Sequence, residues 1–417
     1  MKIKSVALVF VVCTLIGCGS SSSSPTRDAC TELSNDSFSC DAMLGDLVSE
    51  GVIPIIQRFN SEIEDLDDAV IEYCDDSNKL AAARDAWTAA MASLQQLQVM
   101  RFGPNADADN GLLSFYDWQT ASPFNIDIAI AQRTRFPNTV SLPSSDNEKD
   151  LVAVEYVLFD VDAIQAYPDP AKENDHVKIW RESSNQIQQD RCDYAELVTG
   201  ALKTKGAALN ASWQQYDLSA ESNVKQVAAN QVAEALFYID KVTKDAKIKD
   251  ALPQKNDEEA AFDEDALESQ FASQEQVQNN VAILNNLEGI KRILTLNDID
   301  NSKTGLDDYL KAAGQQEIAD DMKAALETAI ANVSAIDADA YAAVSSATDI
   351  ETCLRFSDKE QCNSYSDGCQ DYLSASSDIE KFCALQLNVK TFTDILKGDF
   401  TLSTSFTIPA SASGDND

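Results

Sequence analysis

Between residues 41 and 400, apolar positions recur at spacings of three and four, and alternation at spacing two is scarce. That period belongs to amphipathic helices rather than strands. In 41–73, Ile55, Ile56, Phe59, Ile63, Leu66 and Val70 make one stripe, with a break expected from Gly51 to Pro54. Asn78 to Met100 predicts an alanine-rich helix with Trp87, Met91, Leu94 and Leu97 on one face, stopped by Gly103-Pro104. Residues 105–147 carry Gly111, Pro123, Pro137 and Pro143 and read as a long irregular excursion with a short helix from Ile126 to Gln132. Long ordered loops usually serve a function or cover something. Helices are then expected from about Glu148 to Ala163 and from Lys172 to Trp213, the second bent or broken near Gly200 and Gly206.

A second half opens at Ser219, a candidate helix cap, and continues with a stripe running from Val224 through Val232 and Leu236 to Val242. Lys249 to Asp265 is charged, holds Pro253 and reads as a loop. Gln274–Leu294, Leu306–Ala331, Asp337–Val344 and Ile379–Lys397 complete the predicted helices, with an irregular cysteine-rich passage at 353–383. Each half thus holds about four helices and one long interruption. The fold class expected is all-α, two antiparallel four-helix bundles over 41–216 and 219–400, with a polar tail at 401–417.

Charge and the chain's first residues narrow the setting. The net charge is −37, from 69 acidic and 32 basic side chains, which leaves no basic face for nucleic acid. Lys2 and Lys4 precede an apolar run from Val6 to Ile16 that is short for a membrane span. Leu15-Ile16-Gly17-Cys18 resembles the lipobox of bacterial lipoproteins. That resemblance implies a signal peptide at 1–17, lipidation of Cys18, and a membrane partner reached through the lipid. Gly19, in place of an aspartate, points to the outer membrane. Ser20 to Ser24 form a flexible tether, and 18–40 ends in a small cysteine loop.

Eight further cysteines fit an oxidising compartment: Cys30, Cys40, Cys74, Cys192, Cys353, Cys362, Cys369 and Cys383. Clustering suggests Cys30 with Cys40, Cys74 with Cys192, and two bonds among the last four. A zinc site from those four is the alternative, but their spacing lacks close C-x-x-C pairs.

The stretch that carries chemistry is Asp150 to Asp160. Positions 151 to 159 are apolar or aromatic except Glu155. On a helix, Leu151, Val154 and Leu158 share one stripe and Val152, Tyr156 and Phe159 the next, so Glu155 falls between them. A lone buried carboxylate is costly, so it is expected to be paired, metal-bound or protonated. The plainest account is a structural carboxylate holding a buried arginine, with Arg101 the first choice. Arg133 and Arg135 suit the same kind of work, and Trp87 and Phe102 suit the core.

These landmarks resemble the imelysin family. Its G-x-H-x-x-E motif followed by an apolar run aligns with Asp150 to Glu155. Arg101-Phe102-Gly103-Pro104 matches another landmark, Ser122-Pro123-Phe124-Asn125-Ile126 sits where a similar segment lies, and the Asn279-Asn280 helix is also similar. The resemblance covers about 41–400. It implies two helical bundles related by internal duplication, an envelope location, iron-uptake proteins as partners, and, in some members, metallopeptidase activity of the insulin-cleaving type. The implied site lies where the bundles meet, so Glu155, Arg101, Phe102 and Val152 are the candidate site residues. The chain departs from the motif at two places: Asp150 stands for the Gly and Val152 for the His. His and Glu at i and i+3 share a helix face and can both hold one metal; Val152 cannot ligate. The sole histidine, His176, lies in a polar segment and reads as a surface residue.

Other chemistries are poorly served. There is no H-E-x-x-H and no G-x-S-x-G. Asn105 to Gly111 resembles the start of a calcium loop, but its glycine is one place late and position twelve is Tyr116, so a polar turn is expected; Leu296 to Asn301 is weaker still. No cofactor is assigned; iron or another divalent cation would have Glu155 as its one ligand. The expectation is a non-enzymatic, lipid-anchored binding protein linked to iron uptake, with a metallopeptidase and an envelope scaffold as the alternatives.

Overall fold

The structure, a computed structural model, describes residues 29–35, 37–107, 110–136, 142–143, 148–160, 174–183, 186–220, 224–253, 261–273, 278–296, 302–348, 353 and 377–401. Cys18, Cys362 and Cys369 lie outside the described residues, as do 297–301 and the tail from 402. Among the described residues there are helices and no strands, as the apolar period predicts.

In chain order the α-helices are α1 (Ala29–Leu33), α2 (Cys40–Asp46), α3 (Ile53–Asp75), α4 (Leu80–Gln98), α5 (Pro123–Arg135), α6 (Leu151–Phe159), α7 (Asp175–Ser183) and α8 (Ile187–Trp213). There follow α9 (Lys225–Leu236), α10 (Gln270–Ser273), α11 (Gln278–Leu294), α12 (Leu306–Ala312), α13 (Gln316–Ser334), α14 (Ala340–Ser345) and α15 (Asp378–Ile395). Three π-helical stretches, Leu47–Val52, Ile239–Ala246 and Leu396–Phe400, adjoin α-helices. None of the described helices is long and apolar enough to cross a membrane.

The helices pack in two groups. α3 lies between α4 and α8, with α6 against both of these. In the second group α13 packs on α11 and α15, and the Ile239–Ala246 stretch leans on α15. The groups meet where α11 crosses α4. That crossing needs a residue without a side chain: a Cβ on Gly289 would lie 2.5 Å from the Gln96 carbonyl oxygen and 2.6 Å from a Val99 methyl.

The stripes predicted for the first two helices are buried as expected, from Ile55 to Val70 on α3 and from Trp87 to Leu97 on α4. Boundaries moved for identifiable reasons. The break expected at Gly51–Pro54 is absent, because the chain passes from α2 through the π-helical Leu47–Val52 into α3. Proline has no N–H to give the carbonyl four residues back, and Arg292 of α11 takes up that role. Its guanidinium donates to the carbonyls of Glu50 (Nη2, 2.6 Å) and Gly51 (Nε, 2.9 Å).

The helix expected over Leu306–Ala331 is two, α12 and α13, separated at Gly314, whose φ of 77° is left-handed. α8 runs unbroken past Gly200 and Gly206, where a bend or a break was expected. Gly206 faces Asn60 and Ile63 of α3. Ser219 lies in a short 3₁₀ turn, and the N-cap of α9 is Val224. The central helix is shorter than expected, Leu151–Phe159, and α5 is longer, Pro123–Arg135.

Disulfides join Cys30 to Cys40 and Cys74 to Cys192, as clustering suggested, and Cys353 to Cys383. The last of these takes two cysteines out of the zinc alternative.

Candidate functional site

α6 is nine residues long, and every one of them is buried. A helix with no wet face must have its end groups satisfied by protein. At the N-terminus Asp150 does this: Oδ1 accepts from the N–H groups of Val152 (2.9 Å) and Ala153 (3.3 Å), and Oδ2 from that of Asp117 (2.8 Å). The motif's glycine position has thus become an N-cap. At the C-terminus two arginines serve the last carbonyls. Arg84 donates to Leu158 (2.8 Å), and Arg191 to Tyr156 (2.9 Å) and Asp160 (2.7 Å). Trp87 donates its indole N–H to the Leu151 carbonyl (2.9 Å) and packs edge-on against Phe159.

Glu155 and Tyr156 leave this rod on different sides. The Tyr156 hydroxyl donates to Asp127, 3.0 Å from Oδ2, and the Arg191 guanidinium lies over the Tyr156 ring and 3.9 Å from Asp127. All three are buried, which makes this a closed structural triad.

Glu155, 1% exposed, faces the second half of the chain. Its Oε1 accepts the N–H of Ala272 at 3.1 Å, and the Phe271 N–H also supports the carboxyl. Burial is the main influence and pushes its pKa up to about 8; the two backbone donors pull the other way, and Glu268 and Asp150 nearby push it further up. Burial likewise raises Asp150 to about 7 despite its three backbone donors. Near neutral pH Glu155 is therefore largely a neutral acid.

Glu155 and Val152 form the floor of a cavity of about 370 Å3. Half-buried Trp118 and Phe271 also line it, and exposed Asp250 and Asp265 stand at its edge. The walls come from the excursion before α5, from α6, and from Ala246, Asp250, Asp265 to Leu267, Ser269 and Phe271, so the cavity lies between the two halves.

Behind it is a second, denser polar cluster. Glu268, fully buried, receives the Lys247 ammonium at 2.9 Å and the Gln95 amide at 2.7 Å. Lys247 also donates to Asn286 Oδ1 (2.9 Å) and to Gln95 Oε1 (2.5 Å), and Asn286 donates to the Gln95 carbonyl (2.7 Å). Burial pulls the Lys247 pKa down, against the raising influence of Glu268. Tyr116 links the two regions: its hydroxyl shares a 3.0 Å hydrogen bond with Ser269, which also lines the cavity. Ser269 adopts a left-handed φ of 56°, a strained conformation for a residue with a side chain.

Of the predicted site residues, the structure brings Glu155 and Val152 together at the cavity. Arg101 does not pair with Glu155: its guanidinium lies 4.7 Å from the Tyr238 ring centroid, and backbone amides hold Glu155 instead. Phe102 packs edge-on against Trp213 and is core, like Trp87. Arg135 and the half-buried His176 lie against each other on α5 and α7, so Arg135 is not partnering a buried carboxylate. The buried arginine that does meet a carboxylate is Arg191. Asn105 is committed to structure, accepting from the Trp213 indole (2.8 Å), and Asp107 closes a turn by accepting from the Asn110 N–H (2.7 Å).

Sequence reading missed Lys247, Glu268, Phe271 and Ala272. The signal was faint: Glu268 follows Leu267 and precedes Phe271-Ala272, just past the charged loop, with polar Ser269 and Gln270 between.

A two-group helical body with a cavity between the groups, floored by the acid of an apolar helix, defines the class of protein. The family profile described as Imelysin matches residues 52–355, and the chain belongs to that family. Among solved structures, an imelysin-like protein from Psychrobacter arcticum 273-4 superimposes with a TM-score of 0.61 at 15% identity, covering 89% of this chain and 98% of that one. A candidate iron-regulated protein A precursor from Parabacteroides distasonis ATCC 8503 does so with a TM-score of 0.56 at 16% identity, covering 93% and 97%. These likenesses are of fold. No curated protein matches the sequence.

The family's metal chemistry can be tested against the donors present. A single interior carboxyl with a valine methyl beside it does not fit a divalent cation. Among the described residues, no group of three His, Cys, Asp or Glu side chains is placed to hold a metal.

Proposed function

We propose that this chain is a non-enzymatic, binding member of the imelysin family, carried on the bacterial cell envelope by a lipid on Cys18 and serving iron uptake. The outer membrane is the location proposed for the anchor. The observation that carries the reading is the pairing of Glu155 with Val152 on the floor of the cavity. The position that the family motif fills with imidazole is hydrocarbon here, and the remaining acid is held by the N–H of Ala272 at 3.1 Å. Such a floor can accept or donate a hydrogen bond to a ligand. It has no group to position a hydrolytic water on a metal. The iron link rests on family membership and on the name of the Parabacteroides distasonis structure.

Two measurements test this. Metal analysis of the mature protein and of Glu155→Ala is expected to find no stoichiometric metal in either. Peptide cleavage assays across added Zn²⁺, Mn²⁺ and Fe²⁺ are expected to show none. Stoichiometric iron lost in Glu155→Ala, or cleavage abolished by that substitution, would restore the metallopeptidase reading. For the anchor, radiolabelled palmitate is expected in the wild-type chain and not in Cys18→Ser.

A further inference from the structure

We propose that the cavity between the halves selects a small organic cation, an alkylammonium group seated between the Glu155 carboxyl and the Trp118 and Phe271 rings. This rests on the binding reading above and names its ligand class.

Three observations carry it. First, among the described residues lining the cavity, every charged side chain is acidic: Glu155 on the floor, Asp250 and Asp265 at the edge. Among these described residues an anion meets like charge and no cationic side chain. Second, Trp118 and Phe271 contribute two aromatic walls, the surfaces that attract ammonium groups through their π faces. Third, the interior holds a single carboxyl, and it is fixed: α6 is capped at both ends and the N–H of Ala272 pins Oε1. A metal ion would need several such oxygens converging. An alkylammonium needs one acceptor, a hydrocarbon wall and a ring face, and Val152 supplies the hydrocarbon. The charges surrounding Glu155 favour the same ligand. Asp150 caps its own helix, Tyr116 and Glu268 face it from neighbouring segments, and the nearby Lys247 is committed to Glu268. An incoming ammonium would supply the counter-charge that favours the ionised form of Glu155.

The test uses three probes of one shape and different charge, n-pentylammonium, 1-pentanol and pentanoate, titrated into the full mature protein at about pH 8.5, where the amine stays protonated. Isothermal calorimetry and the fluorescence of Trp118 are the readouts; the other tryptophans are buried. Pentylammonium is expected to bind about tenfold or more tightly than pentanol, with pentanoate weaker than both. In Glu155→Gln, which keeps an acceptor for Ala272, that preference is expected to fall to about twofold or less, while Asp250→Asn lowers it by about twofold. Because the comparison among probes is made first on the wild-type chain, it does not depend on a variant folding. Pentanol or pentanoate binding as tightly as pentylammonium would overturn the ammonium assignment and leave the cavity a binding site. Calcium or iron binding there in place of the amine would overturn it too. Glu155-dependent peptide cleavage would instead overturn the binding reading beneath it.

Discussion

Two glutamates lie buried on either side of Tyr116 and live under different rules. Glu268 is fully enclosed, yet it is met by the Lys247 ammonium at 2.9 Å and the Gln95 amide at 2.7 Å. Glu155 is enclosed to the same degree and is met by backbone N–H groups alone. Burial by itself therefore says little about a carboxyl's charge. Glu268 meets a full counter-ion, whereas Glu155 has only the partial charges of two amides, and burial raises its pKa to about 8. The first arrangement closes a core; the second leaves an acid whose state a visitor can change.

The largest effect expected is from breaking the closed pair. Lys247→Met leaves Glu268 buried without its cation and is expected to destabilise the protein by about 3–5 kcal/mol at neutral pH, read from urea unfolding. Adding Glu268→Gln should recover much of that loss, since the stranded charge goes with it; no recovery would mean that packing, not charge, made the pair matter.

Next is the pH dependence of Glu155. Its pKa is raised from an ordinary 4.5 to about 8 in the folded protein. The native state thus holds that proton more tightly than the unfolded chain. The resulting stability is fully present below pH 4.5 and is lost as pH climbs through 8. Glu155→Gln does not titrate, so it should match the parent at acid pH and exceed it by about 2–4 kcal/mol at alkaline pH. Parallel urea midpoints at both pH values decide this. Equal stability at both would place a counter-ion beside Glu155 and erase the contrast with Glu268.

A smaller effect tests the joint on which both sites hang. Gly289→Ala drives a Cβ to within 2.5 Å of the Gln96 carbonyl, and is expected to cost about 1–3 kcal/mol in thermal unfolding as α11 shifts off α4. Smallest is Tyr116→Phe, which removes a single hydrogen bond to Ser269 and should cost about 1 kcal/mol. Coupling between Tyr116→Phe and Glu155→Gln in a double-mutant cycle would show that the two glutamates sense each other through that ring.

Much of the fold was legible. The stripes from Ile55 to Val70 and from Trp87 to Leu97 are buried as their spacing dictates, because a helical period reports a local rule. The disulfides Cys30–Cys40 and Cys74–Cys192 were legible from clustering. What escaped depended on groups far apart in sequence. Pro54 reads locally as a break, but it sits in the first turn of α3, where proline is tolerated, and Arg292 serves the carbonyls before it. Gly314 could have been read as a left-handed stop, since glycine at a helix end is a local signal. At the site, Glu155 stood out because eight hydrocarbon neighbours surround it in sequence. Its partner did not. Arg101 was the natural candidate on charge, but backbone amides carry no residue-type signature, so nothing in the letters Phe271-Ala272 announces a donor. Lys247 and Glu268 were hidden on either side of a stretch rich enough in charge to pass for a solvated loop.

The guanidinium of Arg292 has a consequence for how the chain is made. It reaches back to the carbonyls of Glu50 and Gly51, across a sequence separation of 242 residues for the first of them. An emerging polypeptide therefore exposes the proline-bearing start of α3 with those two oxygens reliant on water until most of the protein has left the ribosome. A fragment ending before residue 292 lacks that donor, so the start of α3 is completed only once α11 has been made.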